Sequence, residues 1–314
     1  MSTLRLGFKD FLTVGELDGP RFETLAQLAA SCKRDRARHA TALAGRSVVM
    51  LFEKPSLRTR VSFEVGIAKL GGHALYYDHS KERIGERESV HDYARNLERW
   101  ADAVVARTFS HEVLEELAGY SRVPVINALS DEYHPCQALA DLFTLREHVG
   151  PLAGRRLAFV GDGNNVCASL IILAATLGMR VTVIGPEGYE PAPRVLETAR
   201  ARAASSGGTL QLSADPAAVR GADAVYTDAW TSMGWEAEAQ HRRKVFAPYQ
   251  VTPSLMALAG DGARFMHCLP AHRGEEVTDE VIDSPRSIVF DQAENRMHVQ
   301  NALLIALLAP ESVR

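Results

Sequence analysis

Residues 45–72 read GRSVVMLFEKPSLRTRVSFEVGIAKLGG, and the fold is decided by where this stretch changes period. The apolar run 48–52 has the length and β-branched content of a buried strand. It stops at Glu53-Lys54-Pro55, because proline can neither continue a central strand nor donate to one. From Ser56 the period becomes helical, with Val61, Val65 and Ala68 recurring on one face. Serine and proline at a helix start are ordinary capping chemistry. The free N–H groups and the positive end of the helix dipole also favour an anion there. Arg58 adds a bidentate fork, and Ser56 and Thr59 add hydroxyls. A capped helix with solvated arginines would read the same way, so the rest of the chain has to decide.

On both sides the strand-then-helix rhythm repeats. Residues 8–12 read as a lead-in, and 21–38 as an amphipathic helix with Phe22, Leu25, Leu28 and Ala29 on one face. After the opening unit come strand 74–77, the polar loop 80–88 (SKERIGERE), helix 89–100, strand 103–106 ending at Arg107, helix 111–120 and strand 123–127. Helix 138–148 follows, and the pattern restarts with strand 157–161, helix 166–177, strand 181–184, helix 193–204 and strands 210–213 and 224–227. A strand at 288–290 and a helix at 292–308 close it. Helices too long for hairpin connections imply parallel sheets covered on both faces. The expected class is α/β: two parallel-sheet domains linked by helices, with a boundary between residues 130 and 150.

The chain has 314 residues, enough for two domains of ordinary size. A formal net charge of -4 argues against a general nucleic-acid binder, so an anion site has to be local. Cys32, Cys136, Cys167 and Cys268 have no CxxC spacing, which predicts free thiols in a reducing compartment. No apolar run reaches the roughly 20 residues a membrane span needs. Nor does the N-terminus, with Asp10 and Glu16, read as a targeting peptide. A cytoplasmic protein is expected.

In open α/β sheets ligands sit beyond the carboxyl ends of the strands. The residues there are 56–60, Arg107, 131–137, 162–165, 228–234 and 267–270, and their recurrence suggests one composite site between two domains. His134 and Gln137 stand three apart at a helix start, on one face. An imidazole there can donate to a developing oxyanion, and an amide can donate or accept; simple helix capping uses the same residues. GDGNNV at 161–166 invites a dinucleotide, but Val166 replaces the third small residue and no acid closes the next strand, which ends Ile184-Gly185-Pro186. A glycine turn presenting two amides fits better. Asp228 could hold an ammonium group, with the region of Ser232 and Met233 binding a carboxylate; a turn around a buried Trp230 is the alternative. His267-Cys268 with His134 and Cys136 lacks the paired spacing of a zinc site. A Cys-His nucleophile would need a base and orienter pair that is not marked.

Taken together, FEKPSLRTR, ARTF, HPCQALADLFTL, GDGNNV, DAWTSMG, HCLP and QAENRMH resemble, in order and over nearly the whole chain, the carbamoyltransferases. S-x-R-T-R and HPxQ are shared with the aspartate branch, whereas the SMG loop and HCLP resemble the ornithine branch. The resemblance implies that Ser56, Leu57, Arg58 and Thr59 bind the phosphate of carbamoyl phosphate, and that Arg107, His134 and Gln137 hold its carbamoyl end and phosphate. It implies Asn165, Asp228, Ser232 and Met233 for the α-amino and α-carboxylate groups of L-ornithine. Cys268 and Leu269 would lie by the reacting amine and carbamoyl group, and Arg296 by the phosphate and carbamoyl end. Arg58, Arg107, His134 and Cys268 are the expected catalytic set. No metal or organic cofactor is implied, nor a nucleic-acid or membrane partner. The implied domains are 1–133 with helix 292–308 for carbamoyl phosphate and 134–291 for ornithine, in a homotrimer with sites at subunit interfaces. Two positions depart from the pattern. Leu57 stands where many members have threonine, and Arg83 stands where a loop glutamine or histidine commonly reaches a neighbouring subunit's phosphate.

Overall fold

The computed structural model of the protein describes residues 6–231 and 236–312, and the chain divides into two compact units. Unit 1 comprises Met1–Cys136 with Asn295–Arg314, and unit 2 comprises Gln137–Glu294.

Unit 1 opens with α1 (Gly19–Arg34), whose N-cap Asp18 accepts the Arg21 N–H. Its sheet contains β1 (Ser47–Phe52), β2 (His73–Asp78), β3 (Ala103–Arg107) and β4 (Val125–Leu129). The order is β2-β1-β3-β4, all parallel. Helices α2 (Leu57–Lys69), α3 (Val90–Leu97) and α4 (His111–Tyr120) make the connections. Alternation sorts the strand residues: Val49, Leu51, Val104 and Ala106 pack with Val90, Ala94, Leu114 and Leu117 of α3 and α4. Val48, Met50 and Phe52, on the opposite face, are buried too, as a sheet covered on both sides requires. Each large side chain buried this way contributes about 1.5–3 kcal/mol.

Helix α5 (Pro135–Val149) carries the chain into unit 2, so the boundary falls inside a helix. The strands there are β5 (Arg156–Val160), β6 (Arg180–Ile184), β7 (Thr209–Ser213), β8 (Ala224–Thr227) and β9 (Arg264–His267). Their order is β7-β6-β5-β8-β9, again all parallel. Helices α6 (Asn165–Thr176), α7 (Pro193–Ser206), α8 (Ala239–Phe246), α9 (Pro253–Ala259) and α10 (Asp279–Ile282) follow in chain order. Helix α11 (Val289–Leu308) recrosses the boundary, and its Val299, Ala302, Leu303 and Leu304 are buried.

The two-domain parallel α/β architecture agrees with the sequence reading, and three local expectations do not. Residues 288–290 are not a strand: Val289 and Phe290 begin α11, and only Ser287 makes an isolated bridge, to Phe265. The fourth strand lies two residues later than expected, at Val125–Leu129. Val61 and Val65, whose spacing marked α2, lie on its exposed side together with Leu57, which is 75% exposed. Phe63 and Ile67 form the buried side.

Each sheet reverses its order at one point, between β1 and β3 in unit 1 and between β5 and β8 in unit 2. Those switch points are where the carboxyl ends of neighbouring strands leave a crevice.

Candidate active site

At the switch point of unit 1 the chain leaves β1 through Glu53, whose N–H donates to the Arg107 carbonyl at the end of β3 (2.9 Å). The Glu53 carboxylate is buried and accepts the N–H of Ile84 (2.9 Å) and of Phe109 (2.7 Å). One side chain thereby pins the 80–88 loop and the turn after Arg107 to the end of β1. Two cations flank the Phe109 ring: Lys54 Nζ at 4.4 Å and the Arg83 guanidinium at 4.3 Å from its centroid. Burial, then the neighbouring Arg107, pulls the Lys54 pKa down.

Ser56 is the N-cap of α2, its Oγ accepting the Thr59 N–H (3.3 Å) and its hydroxyl donating to Thr59 Oγ1 (3.1 Å). The other N–H groups of a helix's first turn point outward and suit an anion. Arg296 of α11 donates to the Thr59 hydroxyl (3.2 Å). Arg107, His134 and Arg296 are all buried, and His134 lies in the field of both arginines. Burial first, then Arg296 and Arg107, holds its pKa well below the usual 6.5, so His134 is a neutral imidazole at physiological pH. Arg58 is partly buried at the start of α2. Arg60 turns away, to Glu64 (3.0 Å) and over the Tyr76 ring (3.7 Å). Of the two arginines in the motif, only Arg58 is left for a ligand of this site.

At the switch point of unit 2, Asn164 is the N-cap of α6 and accepts the N–H groups of Val166 and Cys167 (both 3.0 Å). Its amide donates to Asp228 at the end of β8 (2.7 Å). The Cys268 thiol, after β9, donates to the other oxygen of Asp228 (3.0 Å). Asn165 occupies the first position of α6. Ser232 and Met233 lie outside the described residues. Arg242 of α8 ties the two strand ends together, binding the Asp162 carboxylate (2.7 Å) and the Trp230 carbonyl (3.0 Å).

The turn after β9 is held by His267. Its Nδ1 accepts the Leu269 N–H (2.8 Å), which leaves Nε2 as the protonated nitrogen, donating to Glu276 (3.1 Å). Leu269 sits at φ 58°, a conformation other L-residues seldom adopt, and a cis bond joins it to Pro270. Asp228, His267 and Cys268 bring ligand-type atoms within 4.8 Å of one another. Both ring nitrogens of His267 and the Cys268 thiol already have protein partners, so the cluster is accounted for by hydrogen bonding.

The glycine turn after β5 does not present its amides to a ligand, contrary to the sequence reading. Gly163 donates to the Tyr189 carbonyl (2.8 Å) and Asn164 to the Asp162 carbonyl (2.8 Å). A Cβ on Gly163 would lie 2.2 Å from Pro191 N, so the chain's own 189–191 segment fills the place a pyrophosphate would need.

Comparison with known proteins identifies the family. The "Aspartate/ornithine carbamoyltransferase, carbamoyl-P binding domain" model matches residues 9–147, and the "Asp/Orn binding domain" model matches residues 153–307. The chain belongs to the aspartate/ornithine carbamoyltransferase family. It is 54% identical over 301 residues to an ornithine carbamoyltransferase of Shewanella oneidensis, covering 96% of this chain and 100% of that one. With the Anoxybacillus flavithermus ornithine carbamoyltransferase it shares 50% identity over 310 residues, 98% of this chain and 99% of the other. The solved ornithine carbamoyltransferase of Pyrococcus furiosus superposes with a TM-score of 0.93 at 48% identity, covering 98% and 99% of the two chains. Within this family member, sequence reasoning singled out neither Glu53 nor Arg242. Glu53 was readable only as part of the turn that stops β1, and Arg242 sits in a helix whose AQHRRKVF sequence has no apolar face.

Proposed function

We propose that the chain transfers the carbamoyl group of carbamoyl phosphate to the δ-amine of L-ornithine, giving L-citrulline and phosphate. The observation that carries this reading is the cluster of buried Arg107, His134 and Arg296 with the Ser56-capped start of α2. In our reading Ser56, Leu57, Arg58 and Thr59 receive the phosphate, helped by Arg107 and Arg296, and His134 and Gln137 receive the carbamoyl group. Leu57 serves through its backbone N–H, which its exposed side chain leaves unchanged. Asp228 and Asn165 hold the α-amino group of ornithine, Ser232 and Met233 its carboxylate, and Cys268 and Leu269 the reacting end.

The chemistry is electrostatic. As the neutral amine attacks the carbamoyl carbon, charge grows on the carbonyl oxygen and on the leaving phosphate. A neutral imidazole at His134 donates to the first without becoming a proton source, and arginines stabilise the second. The departing phosphate takes the proton lost by the amine. Replacing Arg58 by alanine would remove about 2.7–4 kcal/mol of transition-state stabilisation, the size of one oxyanion donor.

The assembly belongs to the same reading: a homotrimer in the cytoplasm, with Arg83 reaching a neighbouring subunit's carbamoyl phosphate. Leu57, Val61 and Val65 along α2 and Leu75 and Tyr77 on edge strand β2 give unit 1 an exposed apolar face that suits a second copy. Its cysteines are free thiols, and no described helix is long and apolar enough to cross a membrane.

The test supplies carbamoyl phosphate with ornithine, putrescine, acetylornithine or aspartate in turn and measures ureido product and phosphate. Ornithine is expected to be the substrate; absence of citrulline would overturn the assignment.

A further inference from the structure

We propose that Asp141 is a positioning residue that fixes the Gln137 amide as an acceptor for the carbamoyl NH2, letting the enzyme tell a carbamoyl from an acyl phosphate. The proposal rests on the function proposed above and adds a determinant of donor specificity to it.

Asp141 lies one turn after Gln137 on α5, fully buried. Its Oδ1 accepts Nε2 of Gln137 (2.6 Å) and Nε2 of Gln292 (2.9 Å), and its Oδ2 accepts the Tyr226 hydroxyl (2.9 Å). Gln137, Gln292 and Tyr226 are themselves buried. Burial, then the charge of Asp141, pushes the Tyr226 pKa far up, so its phenol remains a donor.

A carboxylate only accepts. Each amide touching Asp141 must therefore turn its nitrogen towards it, and flipping either would set oxygen against oxygen in a dry interior. Gln137 Oε1 then faces away from Asp141 and, as a carbonyl oxygen, can only accept. The only donors on carbamoyl phosphate are its NH2 protons; an acyl phosphate has a methyl group at that position. The same logic runs through Gln292, whose Oε1 accepts the His267 N–H (3.0 Å). One carboxylate thus sets both Gln137 and the start of the turn bearing Cys268 and Leu269.

The test uses the full-length protein and two inhibitors competing with carbamoyl phosphate: phosphonoacetamide, and 2-oxopropylphosphonate, in which methyl replaces NH2. The wild type is expected to prefer the amide by about tenfold or more, the range open to a site built around a hydrogen bond. Asp141→Asn, which lets Gln137 flip, should bring the two inhibition constants to within about twofold. Combining Gln137→Glu with Asp141→Asn restores an acceptor on that side and should restore the preference. A folded Asp141→Asn protein that keeps the wild-type preference overturns the proposal, as does equal weakening of both inhibitors. Should Asp141→Asn fail to fold, Gln137→Leu must lose the preference, and its retention is equally fatal. Citrulline synthesis by the wild type separates the two levels: no citrulline sinks the function itself, whereas citrulline without amide preference sinks only the role of Asp141.

Discussion

The guanidinium of Arg296 donates to the hydroxyl of Thr59 across 237 positions of sequence, closing the first turn of α2 with a residue from the last helix (3.2 Å). Thr59 also accepts from the Ser56 hydroxyl, so the two donors meet on one oxygen. Thr59→Val keeps the shape and removes that oxygen. Hydrogen bonds to charged groups contribute about 1.5–3 kcal/mol, so kcat/KM for carbamoyl phosphate should fall at least about tenfold. The KM for ornithine, measured at saturating carbamoyl phosphate, should stay near wild type; a change confined to ornithine would place Thr59 elsewhere in the mechanism.

Glu53→Gln tests the pin at the end of β1. The amide nitrogen would face one of the two N–H groups, Ile84 or Phe109, that now share the carboxylate. A buried donor left without an acceptor costs about 1–3 kcal/mol, readable as a lower urea midpoint. Because the same pin sets the turn after Arg107, the carbamoyl phosphate KM should rise with it. A stability loss without any KM change would mean that the pin serves folding alone.

His134 makes a prediction about pH. Its folded pKa lies below the ordinary 6.5, so the unfolded chain binds the proton more readily than the folded one. Stability from this group is fully present above the unfolded value and is lost as pH falls from about 6.5 towards the folded pKa. Urea unfolding between pH 8 and pH 5 should show that acid-side loss, and His134→Gln should flatten it. On the rate, a neutral donor has no proton to lose near neutrality. The kcat profile should therefore lack a descending limb assignable to His134 between about pH 6 and 8.

Gly163→Ala is expected to destabilise without touching any ligand. Its Cβ would meet backbone atoms of Pro191 and Glu190 at 2.2 and 2.4 Å, and backbone yields less readily than a flexible side chain. Overpacking of this kind costs roughly 1–3 kcal/mol. Calorimetry should also detect no NAD(P) binding to the wild type; binding would reopen the dinucleotide reading of the glycine turn.

What could be read from residues alone was periodicity and punctuation. The change at Pro55, the cap at Ser56 and the β-branched runs placed most of both sheets, because those signals are local. Residues 288–290 failed for the same reason: Ile288-Val289-Phe290 has strand composition, yet Val289 and Phe290 are the first two residues of the 20-residue α11. Short polar α8 and seven-residue α9 carried too little period to be found. The site divides similarly. Motif residues beyond strand ends were visible, whereas Glu53, Asn164 and Arg242 act through partners up to 80 positions away, which no local pattern encodes.

Unit 1 is assembled from both ends of the chain, and this bears on how the protein is made. On the ribosome, residues up to Cys136 emerge first but lack the helix that supplies Val299, Leu303 and Arg296. Unit 2 draws on no residue after Glu294. Until α11 is made, the unit 1 surface that Val299, Leu303 and Leu304 bury stays open. Truncations that remove α11 should be handled by the cell as unfinished first units, whatever the state of the second.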